Sequence, residues 1–256
     1  MFQIIEYLKF LLKSTNQYGV HSPFVYDLVT KCFYNNTKYK DYTNLSAYRL
    51  ALLKNTKEIK ITDFGSGSRV FKSNTRAIDS IAKTSGTPLK RVKLLYRVTQ
   101  YFKPKYTLEL GTSLGIATQA LALGHQKNHI TTLEGCPNIS DVAMQQLKNF
   151  NITNTTVKTG EFKASLSELK QDQFDLVFFD GNHNKLATLE YFDLLINKAH
   201  HDSIFIFDDI HWSKQMTEAW EIIKKHPKVT VTIDTFFWGF VFFRKEQLKE
   251  NFTIRL

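Results

Sequence analysis

From Tyr106 onward the chain repeats one pattern: a short apolar run, a turn rich in acids or glycine, then a segment with apolar residues at helical spacing. The runs are YTLEL (106–110), HITTLEG (129–135), TTVKTG (155–160), FDLVFFD (174–180) and SIFIFDD (203–209). Helices are expected between them at 116–124, 141–150, 185–199 and 213–225. Short apolar runs separated by helices read as strands buried on both faces, the condition of a parallel sheet covered by helices. Two final runs, KVTVTID (228–234) and FWGFVFFR (237–244), lie close enough to pair as a hairpin. The expected fold is therefore α/β: a doubly wound, mostly parallel seven-stranded sheet with an antiparallel terminal hairpin at its edge.

Open sheets of this kind gather ligands at the carboxyl ends of their strands. Glu134, Asp180 and Asp208 all stand at such ends. An acid there either caps the next helix or does chemistry. Asp180 opens the tight turn DGNH, in which Gly181 is expected to take the bend and His183 returns three residues later.

The first hundred residues read differently, as helices at 2–13, 23–33, 45–53, 75–83 and 88–102. Pro23 and Pro88 sit in first turns, where proline is tolerated. The boundary falls near 105, leaving a helical cap over 1–105 and the sheet domain over 106–256. The cap is basic. Over 51–105, 13 Lys or Arg face only Glu58, Asp63 and Asp79, an excess of ten that equals the net charge of the whole chain. Such an excess suits an anionic partner or a solvated helix surface. Lys90, Lys93 and Arg97 share one helical face, with Arg91 beside them. Nucleic acid is the weaker candidate partner, because no RNA-binding module is recognisable.

With 43% hydrophobic residues and 21 Phe, the chain has ample material for a core. Cys32 and Cys136 have no metal-binding spacing and read as free thiols of a reducing compartment, so a cytoplasmic location is expected. The segment MFQIIEYLKFLLKS is interrupted by Glu6, Lys9 and Lys13, and no stretch reaches membrane-spanning length. It reads as an amphipathic helix that docks on the domain or lies on a membrane surface.

The turn after the first strand, LELGTSLG, has Gly111 and Gly115 with Ser113 between them. Ser113 and Ile116 occupy places where a dinucleotide fingerprint needs glycine. Glu134 follows Gly111 by 23 residues at the end of the second strand, where an acid can hold ribose hydroxyls. A ribose acid without the phosphate fingerprint favours a nucleoside lacking phosphates, S-adenosylmethionine being the common case. A second glycine turn, ITDFGSGSR (61–69), lacks a following acid-ended strand and reads as a loop of the cap with Arg69 in it.

TLELGTSLGIAT, TTLEG, VKTGEF, FDLVFFDGNH and IFIFDDIHW, in that order, resemble the class I S-adenosylmethionine-dependent methyltransferases, and among them the catechol and caffeoyl-CoA O-methyltransferase group and an uncharacterised bacterial branch of it. The resemblance covers 106–244 and implies a Rossmann-like methyltransferase fold. It implies that Glu109, Gly111, Ser113 and Gly115 wrap the methionine part of the cofactor and that Glu134 holds the ribose. Gly160, Glu161 and Phe162 would border the adenine. Asp180, Asp208 and Asp209 would hold a divalent cation, magnesium being the expected one, with Asp180 also beside the cofactor. Asp209 stands where the family carries asparagine, and His183 where it carries a catalytic lysine. An imidazole, with its ordinary pKa of about 6.5, can serve as the base. Trp212 falls at the family's tryptophan spacing and reads as a core residue, with a lid over the sulfonium as the alternative; His211 reads as a residue at the surface or just behind the site. The expected activity is methyl transfer to oxygen of a small or medium acceptor, with a homodimer as the candidate assembly. RNA methylation and a non-catalytic scaffold are the alternatives.

Overall fold

The computed structural model describes residues 1–62 and 74–256. In chain order the elements are α1 (Phe2–Lys13), α2 (Pro23–Leu28), α3 (Asp41–Leu53), β1 (Glu58–Lys60), β2 (Thr75–Ala77), α4 (Ile78–Thr84) and α5 (Leu89–Phe102). Strands and helices then alternate: β3 (Tyr106–Leu110), α6 (Ile116–Gly124), β4 (His129–Glu134), α7 (Pro137–Asn149), β5 (Thr155–Thr159), α8 (Phe162–Ser167), β6 (Phe174–Phe179), α9 (Lys185–Leu195), β7 (Ala199–Asp208) and α10 (Lys214–Lys225). The chain ends with β8 (Val231–Asp234), β9 (Trp238–Phe242) and β10 (Glu250–Thr253). The main sheet has eight strands in the order β10-β8-β9-β7-β6-β3-β4-β5. Seven of them are the expected runs. The eighth, β10, pairs in parallel with β8 and replaces the hairpin as the sheet's edge. Its sequence, ENFT, is too short and polar to announce a strand.

Two compact units divide the chain: Met1–Tyr34 with Lys170–Leu256, and Asn35–Leu169. In the Asn35–Leu169 unit, β4 lies between β3 and β5, parallel to both. The register sets Leu110 opposite Leu133 and Glu134 opposite Thr159, so the strands end in step. Helix α6 follows β3 and is buried along most of its length, which its run of Ala and Leu permits. Helix α3 buries Leu45, Tyr48 and Leu52 at intervals of three and four, the spacing of one helical face. Here the structure corrects the expected helix at 75–83. Thr75, Arg76 and Ala77 are extended and pair antiparallel with β1, and the helix starts only at Ile78. Pairing across the chain overrides local pattern there.

In the other unit β6 and β7 are parallel, while β9 runs antiparallel to β7 and β8. Phenylalanine fills this core. Phe179 stacks on Phe207 at 4.2 Å, and Phe178 meets Trp238 edge-on at 5.5 Å. The aromatic excess of the composition is thus core material here. Helix α1 touches Phe236 through Tyr7 and Phe10, yet Ile4, Leu8 and Leu12 are exposed. Both cysteines are buried thiols, as expected. Among the described residues no helix is long and apolar enough to cross a membrane.

Candidate active site

The glycine turn after β3 takes a backbone that side chains resist. Gly111 and Gly115 have φ of 101° and 76°, and Ser113 is held at 46°. At Gly115 a Cβ would lie 2.5 Å from the Tyr48 hydroxyl. That hydroxyl donates to the Leu114 carbonyl at 2.9 Å, so α3 pins the turn from outside. Nothing in the sequence marks Tyr48 for this role beyond its place on the apolar face of a helix.

Glu134 closes the turn from the other side. Its Oε2 accepts from the Ser113 amide at 2.8 Å and its Oε1 from the Cys136 amide at 2.9 Å. One carboxylate thereby holds the loops after β3 and β4 in a fixed relation. The Glu134 carbonyl accepts from Gly160, whose φ of 152° again favours glycine. Glu161 does something the sequence did not suggest. It is exposed and caps α8, accepting from the Lys163 and Ala164 amides at 3.0 and 2.9 Å. Phe162 beside it is half-buried.

Glu109 is fully buried on β3. Its Oε2 accepts from Thr118 and Thr132, both at 2.5 Å, while its Oε1 has no hydrogen-bond partner among the described residues. Burial pushes this carboxyl up to about 7, against the two threonine bonds and with a smaller contribution from Glu134. A buried acceptor left unpaired is costly and suits a ligand that brings a donor or a cation. The titration is testable without one. Because the folded value lies above the ordinary 4.5, the protonated form contributes stability that is complete below about 4.5 and is lost as pH rises through about 7. Between pH 5 and pH 8 the ligand-free protein should lose more thermal stability than its Glu109→Gln variant. Parallel melting curves for the two would show that Glu109 does not titrate in this window.

The second set of residues lies in the other unit. Asp180 follows β6 and Asp208 ends β7. Asp180, His183 and Asp208 each offer a ligand atom within 4.8 Å of the other two. His183 Nε2 stands 3.9 Å from Asp180 Oδ1, too far for a hydrogen bond. Asp209, expected as the third cation ligand, does not belong to this group. It takes a left-handed φ of 53°, with its carbonyl accepting from Trp212, which is half-buried. The DGNH turn also differs from expectation. Its left-handed residue is Asn182, at φ 53°, and not Gly181; asparagine is among the few side chains that accept this region.

Capping of the following helices falls to other residues. Asn184 accepts from the Leu186 and Ala187 amides at the start of α9, and Ser213 from the Met216 amide at the start of α10. Asp180 and Asp208 are therefore not the N-caps that strand-end acids often become. His211 is buried, which removes the surface alternative of its two readings and leaves the one just behind the site. Its ring lies between Asp234 Oδ2 at 2.8 Å and Thr217 Oγ1 at 3.2 Å, and stacks on Phe236.

The basic helix α5 spends part of its charge locally. Lys93 Nζ sits 4.9 Å from the centre of the Tyr42 ring, and Arg97 donates to the Tyr42 hydroxyl at 3.2 Å. Lys90 is exposed. The second glycine turn with Arg69 lies outside the described residues.

The family model of a methyltransferase domain matches residues 108–210. That segment contains Glu109, the glycine turn, Glu134, and the group of Asp180, His183 and Asp208. No curated protein matches the sequence. Among solved structures, a methyltransferase of Podospora anserina bound to S-adenosylhomocysteine superposes with a TM-score of 0.64 at 15% identity, covering 88% of this chain and 97% of its own. The Streptomyces achromogenes O-methyltransferase TomG, solved with S-adenosylmethionine, gives 0.58 at 14% identity, with 84% and 95% covered. A Bacillus cereus O-methyltransferase solved with S-adenosylhomocysteine gives 0.54 at 18% identity, with 83% and 95% covered. The chain thus has the Rossmann-like fold of S-adenosylmethionine-dependent methyltransferases and carries the match to a methyltransferase domain over 108–210, as its ordered motifs imply.

Proposed function

We propose that the protein transfers the methyl group of S-adenosylmethionine to an oxygen of a small or medium acceptor. The observation that carries this is the methyltransferase-domain match over 108–210, the stretch in which the glycine turn, the buried Glu109 and the strand-end acids all fall. The unpaired Glu109 Oε1 fits the ammonium of the methionine part, which would supply both a donor and a positive charge. Glu134 would offer the ribose hydroxyls a carboxylate already oriented by two amides. Gly160, Glu161 and Phe162 would border the adenine, with Glu161 contributing mainly through its cap on α8. We retain the division at residue 105 in a functional sense: 106–256 catalyses, and 1–105 shapes the acceptor side.

Two carboxylates brought together also fit magnesium, which is commonly held by one or two acids with water completing its shell. Asp180 and Asp208 would hold it. When bound it offsets their mutual repulsion and makes an acceptor hydroxyl more acidic. His183 Nε2 takes the proton that the acceptor oxygen loses. The oxygen–methyl bond then forms as the sulfur–methyl bond breaks, leaving S-adenosylhomocysteine. Alignment accounts for most of the acceleration in such a displacement.

The test is a transfer assay with labelled S-adenosylmethionine over a panel of small phenols and alcohols, run in chelator and again after magnesium is added. Loss of transfer in chelator and its return with magnesium is expected. Full activity in chelator would remove the cation and leave Asp180 and Asp208 to orient the substrates. Absence of transfer, together with no calorimetric binding of S-adenosylmethionine, would overturn the methyltransferase reading itself.

A further inference from the structure

Strand β7 departs from regular pairing near its start. Phe174 opposes Ala199 and Leu176 opposes Ile204, so a single β6 residue, Asp175, faces four residues of β7. The surplus His200, His201, Asp202 and Ser203 form a bulge. It is an ordered one. The His200 amide donates to Ser203 Oγ at 2.8 Å, and that hydroxyl donates to the Phe174 carbonyl at 2.6 Å.

The bulge also fixes a tautomer. The Asp202 amide donates to His200 Nδ1 at 3.2 Å, which leaves the ring proton on Nε2, 3.1 Å from Asp175 Oδ1. His201 Nε2 lies 3.0 Å from Asp202 Oδ2, both side chains more than half exposed. His200, His201 and Asp202 each offer a ligand atom within 4.8 Å of the other two.

We propose that His200, His201 and Asp202 bind a divalent transition-metal ion of the imidazole-preferring class, zinc being its representative, and that Asp175 orients His200. Two imidazoles and one carboxylate make a donor set suited to zinc, nickel or copper and poorly suited to magnesium. The relation of Asp175 to His200 is the one metal-binding histidines use: the far ring nitrogen donates to a carboxylate while the near one faces the metal. His200 Nδ1 would exchange its bond from the Asp202 amide for the ion. His201 Nε2 and Asp202 Oδ2 already converge, and their exposure leaves water free to complete a tetrahedral shell.

This group is separate from Asp180, His183 and Asp208. Asp208 ends the same strand four residues beyond Ile204, so roughly 13 Å of regular strand lies between. The donor sets are inverted as well, two histidines and one acid here against one histidine and two acids there.

The experiment is a calorimetric titration of zinc into the full-length, chelator-treated protein carrying Asp180→Asn and His183→Ala, which disable the other group. One zinc per chain at micromolar affinity or tighter is expected, unchanged by millimolar magnesium. Adding His201→Ala should weaken it at least tenfold. Asp175→Asn, which touches no metal, should weaken it about tenfold. Cobalt substituted for zinc should show the intense visible absorption of a tetrahedral ion. Absence of saturable zinc binding, equal affinity after His201→Ala, or displacement of zinc by magnesium would each overturn the proposal.

Discussion

Asp180→Asn should lower methyl-transfer turnover by about two to three orders of magnitude, the usual cost of deleting one fixed charge from a reacting centre, while the protein stays folded. Asparagine keeps the shape of the side chain and removes only its charge. The Asp180 and Asp208 ligand atoms lie within 4.8 Å of each other, with a His183 ring nitrogen in the same group. The melting temperature should hold as activity falls, a combination that a packing defect cannot produce. Asp208→Asn should behave in the same way. Asp209→Asn is the contrasting case: it lies outside the group and should change turnover no more than about threefold, a shift of under 1 kcal/mol. Turnover measured with labelled S-adenosylmethionine, beside thermal melts of the three variants, decides the matter. Equal losses at Asp208 and Asp209 would restore the ligand set expected from sequence. Undiminished turnover in Asp180→Asn would take that residue out of the chemistry altogether.

What could be read from the sequence follows the range of the interactions involved. Seven strands and their succession along the chain were legible because each is a local apolar run, and strand-end placement of Glu134, Asp180 and Asp208 follows from those runs alone. Helix α7 starts at Pro137, a position the same proline rule that located α2 and α5 would have found. Strand β2 and strand β10 were missed for a different reason. Each is short and takes its extended form from a distant partner, Glu58–Lys60 in one case and Val231–Asp234 in the other. The site shows the same split. Glu109, Asp180 and His183 were visible as residue types at motif positions. The threonines that hold Glu109 and the clamp on His211 required the fold, because Thr118, Thr132 and Asp234 are ordinary residues in sequence. Chain direction at a turn was the least legible feature, as Asn182 and Asp209 show by taking the left-handed region where glycine was expected or no constraint was foreseen.

Gly115→Ala should destabilise the protein by about 2–4 kcal/mol and weaken S-adenosylmethionine binding, and Tyr48 should account for half or more of the stability loss. Two costs combine at this position. A φ of 76° costs a residue with a Cβ about 1–2 kcal/mol. The new methyl would also lie 2.5 Å from the Tyr48 hydroxyl. Tyr48 cannot swing aside: it is fully buried, packs on Phe150 with ring centres 4.9 Å apart, and donates to the Leu114 carbonyl. Either the turn or α3 must move, and both position the residues beside Glu134. The two costs can be separated in a double-mutant cycle. Tyr48→Phe alone loses one hydrogen bond and should cost about 1 kcal/mol. In that background the hydroxyl is gone, so Gly115→Ala should cost only the backbone term of about 1–2 kcal/mol. The four proteins, compared by urea denaturation, should therefore show a favourable coupling of about 1 kcal/mol or more. Strict additivity would mean that the alanine is accommodated without meeting Tyr48, and that α3 does not hold the glycine turn in place.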